Sequence, residues 1–375
     1  MNGARRSDAI VVGAGIVGAA CAAALARDGW RVTILERSFA SSGTTSVGMG
    51  HLVVMDDSPE QLALTKYSLR LWRELTPILD RRAELDACGT LWVAEDEAQL
   101  EALRAKRELY ATADVATEVL DAQALCEAEP NLRRDLAGAL RVTHDSVVYP
   151  PGATLSLLDD ARKHGAVLRD GIDVEAIVPN GVRLANEVLR ADIVVNATGP
   201  WAPRLTPALP ITPRKGHLAI TDRYPAFCRH QIVELGYLSS AHVMTSESVA
   251  FNIQPRSTGQ VLIGSSRELV GWDAQINREI LRRMLQRASH FMPGLGDLSV
   301  IRCWTGFRPA TPDKLPLIGP WDPIPGLWIA AGHEGLGITT SLGTARLLAD
   351  QIAGRAPEID PGPFSPMRAL AALHS

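Results

Sequence analysis

The distribution of apolar residues predicts three buried strands that each end at a glycine turn. The three segments are residues 10–12, 191–197 and 327–331, and glycine follows each of them within two residues. Mostly apolar runs of this length are typical of strands that a parallel sheet buries on both faces. Because the segments lie at the start, middle and end of the chain, we expect the chain to return twice to one sheet.

Alternating apolar and polar positions predict a second, antiparallel sheet over residues 213–270. Its predicted strands are 217–221, 242–245, 250–254 and 260–265. Helical spacing predicts helices at 60–82, 97–110, 274–291 and 338–352, and a further one that starts after residue 145 and ends near Gly165. These elements indicate a mixed α/β and α+β fold, in which a Rossmann-like domain is interleaved with an antiparallel-sheet domain.

The first glycine turn has the spacing of a dinucleotide-binding unit. Gly13 permits a tight turn, Gly15 lets the backbone approach a pyrophosphate, and Gly18 lets the following helix pack closely. Glu36 ends the next strand, where its carboxylate can accept hydrogen bonds from a ribose diol and would repel a 2′-phosphate. The small residues at 38–50 permit close approach to a flat ligand, although an exposed loop is the alternative interpretation.

Composition and charge exclude several classes of function. The net charge of −4 over 375 residues predicts no nucleic-acid partner, and no basic cluster indicates a membrane surface. The five cysteines are scattered, which argues for a reducing compartment and against a metal or iron–sulfur site. Arg5-Arg6 and the apolar run 9–26 imitate a signal peptide, but a buried strand and a small-residue helix explain that run. We therefore expect no transmembrane segment and a cytoplasmic location.

Three further stretches carry a family resemblance: residues 48–57 (GMGHLVVMDD), 305–320 (TGFRPATPDKLPLIGP) and 332–340 (GHEGLGITT). Together with the glycine turns, they resemble the D-amino-acid-oxidase-like superfamily of FAD amine oxidoreductases over nearly the whole chain. The chain looks closest to the glycine oxidase and sarcosine oxidase branch. Within that branch it is similar to the β subunits of D-hydroxyproline dehydrogenase and of octopine and nopaline oxidases.

The resemblance implies a discontinuous FAD-binding domain. Its predicted segments are 1–82, 145–212 and 302–365, with 83–144 and 213–301 as the substrate domain and 366–375 as a tail. FAD is longer than NAD, so a second glycine-rich turn at 332–337 and the helix expected near Ile338 would face the flavin. Some relatives attach flavin through a cysteine within 305–313, which this chain lacks, so the expected FAD is non-covalent.

The resemblance and the motifs together imply the following cofactor contacts, with no metal ligand among them. The expected residues are Gly13, Gly15, Ile16, Val17, Gly18, Glu36, Arg37, Thr44, Thr45, Gly50, His51, Val174, Ala197, Gly199, Gly306, Arg308, Gly332, His333, Gly335, Leu336, Gly337 and Ile338. His333 and Glu334 are unusual polar residues in this last turn, where they would contact the substrate or a relay partner, or cap the following helix.

Three residues are candidates for a catalytic role. Relatives use an arginine in the context of Arg308 to clamp the substrate carboxylate, and a guanidinium matches that group bidentately; a structural ion pair is the alternative. His51 would tune the flavin or orient the substrate, or simply pack. Tyr237 would lie over the substrate, or pack at the rim.

The implied activity is oxidative deamination or dehydrogenation of an amine that carries a carboxylate, such as D-hydroxyproline or an opine. Hydride transfer from the amine carbon to flavin N5 would give an imine. The expected assembly is a hetero-oligomer whose partner carries further flavin or iron–sulfur centres, with FMN at the interface as a further expectation.

Three other functions stay open at this point. They are a stand-alone glycine- or sarcosine-type oxidase that uses oxygen, a flavin-binding subunit without catalysis, and an NAD-dependent dehydrogenase. The last would leave the 332–337 turn without a role.

Overall fold

The computed structural model describes residues 8–235 and 247–373, in which the strands form two large and two small sheets. In chain order the strands are β1 (Asp8–Val12), β2 (Arg31–Glu36), β3 (His51–Leu52), β4 (Thr90–Ala94), β5 (Thr117–Asp121), β6 (Gly138–Val142), β7 (Ser146–Val147), β8 (Val167–Asp170), β9 (Ala176–Val178), β10 (Gly181–Arg183), β11 (Val188–Arg190), β12 (Ile193–Asn196), β13 (Thr212–Thr221), β14 (Gln231–Glu234), β15 (Glu247–Pro255), β16 (Val261–Glu268), β17 (Val300–Ala310), β18 (Leu317–Pro320) and β19 (Leu327–Ala331).

Helices connect these strands and cover the sheets. The α-helices are α1 (Ile16–Arg27), α2 (Thr44–Val47), α3 (Pro59–Leu75), α4 (Glu97–Thr112), α5 (Ala122–Ala128), α6 (Pro150–Lys163), α7 (Ala202–Leu205), α8 (Arg278–Phe291), α9 (Ser341–Ile352) and α10 (Met367–Leu373). Short 3₁₀ turns occupy Thr76–Ile78, Arg81–Ala83, Gly199–Trp201, Pro293–Asp297 and Gly362–Phe364. None of the described helices is long and apolar enough to cross a membrane.

The first large sheet brings the three predicted strands together. Its order is β18-β19-β12-β1-β2-β8, so β19, β12 and β1 are neighbours although they come from the end, middle and start of the chain. All pairings are parallel except the edge pair of β18 with β19. This is the Rossmann-like sheet that the sequence predicted.

The second large sheet has eight strands in the order β17-β13-β16-β15-β14-β4-β6-β5. Every pair is antiparallel except β14 with β4. Helix α8 covers one face of the sheet, and Phe291 of the helix stacks on Phe251 of β15 with ring centroids 4.6 Å apart. The predicted boundary at residue 302 falls inside β17, which pairs with β13 along this sheet.

Local chemistry sets several helix ends differently from the sequence prediction. The helix predicted over 60–82 ends at Leu75, because Pro77 has no N–H to continue the α-helical hydrogen bonds, and a 3₁₀ turn follows over Thr76–Ile78. The helix predicted over 274–291 begins at Arg278, where the Asn277 side chain caps it by accepting the N–H groups of Glu279 and Ile280. The predicted strand 242–245 lies outside the described residues.

Helix α1 packs between the first sheet and helices α6 and α9, and Gly18 makes its closest approach possible. A Cβ atom at Gly18 would lie 2.0 Å from the carbonyl oxygen of Gly13 and 3.4 Å from the Cβ of Ala197. The turn that follows β1 therefore contacts the helix backbone directly.

We expect Gly18→Val to destabilise the fold by at least about 1–3 kcal/mol, because the added side chain must push α1 off this turn. Thermal and urea unfolding would measure the loss. Gly296→Ala is the control, since a Cβ at Gly296 meets no heavy atom within 4 Å. Equal stability of the two variants would contradict the close packing of α1.

Candidate functional site

A cavity of about 510 Å³ opens between the two large sheets, and most of the predicted cofactor residues line it. The predicted residues on its wall are Gly13, Gly15, Ile16, Val17, Glu36, Arg37, Thr44, Thr45, Gly50, His51, Val174, Ala197, Gly199, Gly306, Arg308, His333, Gly335, Gly337 and Ile338. Gly18, Gly332 and Leu336 do not line it, and Tyr237 lies outside the described residues.

At one end of the cavity the glycine turn and Glu36 form a cradle that fits a dinucleotide. A Cβ at Gly15 would project towards the cavity, with only the Thr45 hydroxyl oxygen, at 3.1 Å, within 4 Å. The Glu36 carboxylate accepts the backbone N–H groups of Ala14 and Ser38, both at 2.9 Å, which fixes the acid beside the turn. Each carboxylate oxygen keeps a second lone pair for a ribose hydroxyl.

The small-residue run forms the floor next to this cradle. Within it α2 packs against β17, and the Thr44 hydroxyl donates to the carbonyl of Phe307 at 2.8 Å. The Thr45 hydroxyl accepts the N–H of Ile16 at 3.1 Å. The run therefore joins the start of α1 to the strand that carries Arg308, and it is not a free loop.

The last glycine turn also lines the cavity, and helix α9 begins at Ser341 instead of the predicted Ile338. His333 is buried and its Nε2 lies 2.9 Å from the Thr344 hydroxyl, while burial lowers the pKa of His333 to about 3. Glu334 accepts a hydrogen bond from the buried Arg214 at 2.8 Å. The two residues thus hold the turn in place, and neither caps the helix.

Arg308 reaches the cavity by crossing the neighbouring strand. Its guanidinium passes over Gly216 of β13, where a Cβ would lie 2.3 Å from Nη1, and donates to the Ser266 carbonyl of β16 at 2.9 Å. The Ser266 hydroxyl oxygen is in turn 2.9 Å from both the backbone nitrogen and Nδ1 of the buried His217. The arginine therefore lies in a fixed position on the cavity wall.

His51 lies beside this arginine as a neutral imidazole. Burial, and secondarily the positive charge of Arg308, lower the pKa of His51 to about 3. Its Nε2 has no hydrogen-bond partner among the described residues, and the ring lines the cavity. At neutral pH His51 can exchange a hydrogen bond with a ligand but adds no charge.

Sequence reasoning missed several residues of the cavity wall. Trp201 follows the second glycine turn directly and stacks on Trp272, with centroids 5.4 Å apart, so its position next to Gly199 was a usable signal. Asn252 and Ser265 come from β15 and β16 of the second sheet, and no motif marks them. Met49 and Leu218 supply apolar wall beside them.

The described residues hold no group of three or more His, Cys, Asp or Glu side chains that could bind a metal ion. All five cysteines are free thiols. Cys303 packs against the core beside the second sheet and does not line the cavity.

A hydrogen bond to the buried Asp145 holds the segment that carries His51 in place. Strand β3 pairs with β7, and the side chain of Asp145, just before β7, accepts the N–H of Val54 at 3.1 Å. Burial raises the pKa of Asp145 from 3.8 to about 7. Because the folded pKa exceeds the ordinary one, the contribution of this acid to stability is complete below pH 4 and is lost as the pH rises to about 7.

We expect the free energy of unfolding of Asp145→Asn to rise relative to that of the parent by about 2–3 kcal/mol as the pH goes from 5 to 8. The reason is that the amide keeps the acceptor for the Val54 N–H but cannot ionise. Urea unfolding of both proteins at several pH values would measure this difference. The exposed Asp322→Asn is the control and should show no such pH dependence. A parent–variant difference that is constant with pH would contradict the buried titration.

Comparison with known proteins identifies the family of this chain. The family model described as FAD dependent oxidoreductase matches residues 8–351. The D-amino acid dehydrogenase of Cereibacter sphaeroides (strain ATCC 17029 / ATH 2.4.9) is 30% identical, over 94% of this chain and 93% of its own. The hydrogen cyanide synthase subunit HcnC of Pseudomonas protegens is 28% identical, over 95% of both chains.

A solved structure shows the same fold. The crystal structure of glycine oxidase from Geobacillus kaustophilus superimposes with a TM-score of 0.86 at 28% identity, covering 96% of this chain and 98% of that one. The family match spans most of the chain and includes both glycine turns and Arg308. The chain therefore belongs to the D-amino-acid-oxidase family of FAD-dependent oxidoreductases, whose members include amino acid dehydrogenases and oxidases.

Proposed function

We propose that this protein oxidises a small amine that carries a free carboxylate, with D-hydroxyproline as the leading substrate and an opine as the second. The amine loses two electrons and two protons and becomes an imine, which hydrolyses or stays cyclic. FAD, when bound, supplies the two-electron acceptor for this oxidation. The D-amino acid dehydrogenase similarity supports this class of substrate.

The observation that carries the proposal is the position of Arg308. Its guanidinium lies on the cavity wall, where Nη1 donates to the Ser266 carbonyl. A guanidinium has five N–H donors in a planar fork, so the same group can also bind a carboxylate. In this role Arg308 orients the substrate, and the neutral His51 beside it accepts or donates a hydrogen bond without competing for the anion.

The same cavity supplies the expected cofactor contacts. Gly13, Gly15 and Glu36 would hold the adenosine half of a non-covalent FAD, with the start of α1 at the pyrophosphate. Thr44, Thr45 and the 335–338 turn would hold the flavin half. The free cysteines are consistent with a cytoplasmic location.

A partner subunit is the second part of the proposal, and an apolar surface supports it. Leu269, Val270, Trp272 and Ile276 are exposed, and Trp272 stacks on Trp201 of the cavity wall. Contiguous exposed apolar surface is typical of interaction sites. The relative HcnC carries the word subunit in its name. We propose that a partner with further flavin or iron–sulfur centres, and an FMN at the interface, takes the electrons at this surface.

A stand-alone oxidase that passes electrons to oxygen is the competing function. The structural similarity to glycine oxidase favours it. The two functions differ in where the electrons go, because a stand-alone oxidase forms hydrogen peroxide at full rate without another chain. A flavin-binding subunit without catalysis would leave the fixed Arg308 without a ligand.

Anaerobic reduction of the flavin by a panel of amines tests the proposal. The panel contains D-hydroxyproline, D- and L-proline, glycine, sarcosine, octopine and nopaline, and flavin absorbance is the readout. We expect rapid bleaching by D-hydroxyproline or an opine, and slow reoxidation by oxygen. Bleaching by glycine or sarcosine with fast peroxide formation would favour the stand-alone oxidase, and no bleaching by any amine would refute the proposal.

We expect Arg308→Met to weaken binding of the reducing amine about 10–150-fold, since a charge-assisted bidentate contact is lost. The dependence of the bleaching rate on amine concentration measures this. Arg302→Met is the matched control, because Arg302 lies on the same strand but is exposed over Trp304 outside the cavity. An Arg308→Met protein that bleaches like the parent would refute the carboxylate clamp.

A further inference from the structure

The cavity contains two buried polar groups that neither the fold nor the expected cofactor contacts explain. Asn252 and Ser265 are only 5% and 3% exposed, and both line the cavity. The Asn252 Oδ1 and the Ser265 Oγ have no hydrogen-bond partner among the described residues. A buried polar atom without a partner costs free energy, so such atoms are expected where a ligand completes them.

The two groups lie on adjacent strands and line the same cavity. Asn252 of β15 pairs with Gly264 of β16, and Ser265 is the next residue along β16. The register is irregular between Val249 and Asn252, so the usual alternation of faces is interrupted here and both residues line the cavity. Their surroundings are apolar, because a Cβ at Gly264 would meet the Met49 sulfur at 3.2 Å and Leu218 at 2.8 Å.

The pair also lies close to the proposed carboxylate clamp. Arg308 donates to the carbonyl of Ser266, the residue after Ser265. Consecutive residues are about 3.8 Å apart. A small amino acid held by its carboxylate at Arg308 can therefore place a substituent against Asn252 and Ser265.

The donor and acceptor types define which substituent fits best. The Asn252 Oδ1 accepts only, whereas the Ser265 hydroxyl can donate and accept. A ligand hydroxyl donates to the first and accepts from the second, so it satisfies both groups at once. A methyl group satisfies neither, and a carbonyl satisfies only the serine.

We propose that Asn252 and Ser265 form a specificity subsite that selects amino acids with a hydroxyl on the side chain or ring. The inference rests on the proposed function, because it takes Arg308 as the carboxylate anchor. It adds the reason why this cavity should distinguish a hydroxylated amine from its plain counterpart.

Matched ligand pairs test the subsite in the holoenzyme. The pairs are 4-hydroxy-D-proline with D-proline and D-serine with D-alanine, and anaerobic stopped-flow bleaching gives the Kd and the limiting rate separately. We expect the parent to bind the hydroxylated member at least about tenfold more tightly. Ser265→Ala and Asn252→Leu should bring that ratio close to one while the Kd of the plain member stays within about twofold.

Two further variants separate selection from a structural role. Ser265→Thr keeps a hydroxyl and should retain most of the preference. Ser248→Ala on β15 lies outside the cavity and should match the parent. A parent ratio near one, a ratio unchanged in both Ser265→Ala and Asn252→Leu, or an equal loss for both members of a pair would overturn the inference.

The hypothesis of a hydroxyl subsite can be tested separately from the proposed function. If no amine bleaches the flavin, the same comparison can be made with two carboxylates that do not react, D-glycerate and D-lactate. Their Kd values are measured from the change in the flavin spectrum on binding. A tenfold preference for D-glycerate that Ser265→Ala abolishes would support the subsite even then, and equal Kd values would refute it.

Discussion

The crossing of β13 by the Arg308 side chain is the contact on which the cavity depends. Arg308 belongs to β17, the edge strand of the second sheet, yet its hydrogen bond is to Ser266 on β16, two strands away. Only the missing side chain at Gly216 leaves room for the guanidinium above β13. A larger residue there would displace the guanidinium from its contact with Ser266.

The charged groups next to Arg308 compete little with it for an anion in the cavity. Arg214 lies opposite Arg308 in the β13–β17 register, but it is paired with Glu334. His51 stays neutral at physiological pH because burial and Arg308 both disfavour its protonated form. The lysine beside Gly216, Lys215, is buried and paired with Glu268 and Asp273. An anionic ligand in the cavity therefore meets the positive charge of Arg308.

The parts of the site that depend on local backbone chemistry could be predicted from the sequence. The cradle of Gly13, Gly15 and Glu36 lies within one strand–helix–strand unit, so its spacing along the chain reflects its geometry in space. Arg308 could be predicted as a site residue because the residues around it resemble those of a known family. Trp201 follows the recognised turn at Gly199, so its place on the cavity wall could have been predicted from that position.

Asn252 and Ser265 could not be predicted, for a physical reason. A polar residue in an alternating strand is usually on the solvent face, and the sequence does not state that this face of β15 and β16 is turned towards the cavity. That face is covered because of the order of strands in the second sheet and because the first sheet, whose strand β1 lies more than two hundred residues earlier in the chain, packs near it. The glycine cradle is thus a property of one local unit, whereas the proposed selection of substrate depends on residues that come together where the two sheets meet. If the proposed subsite is correct, substitutions at positions 252 and 265 can change the substrate while the glycine cradle stays the same.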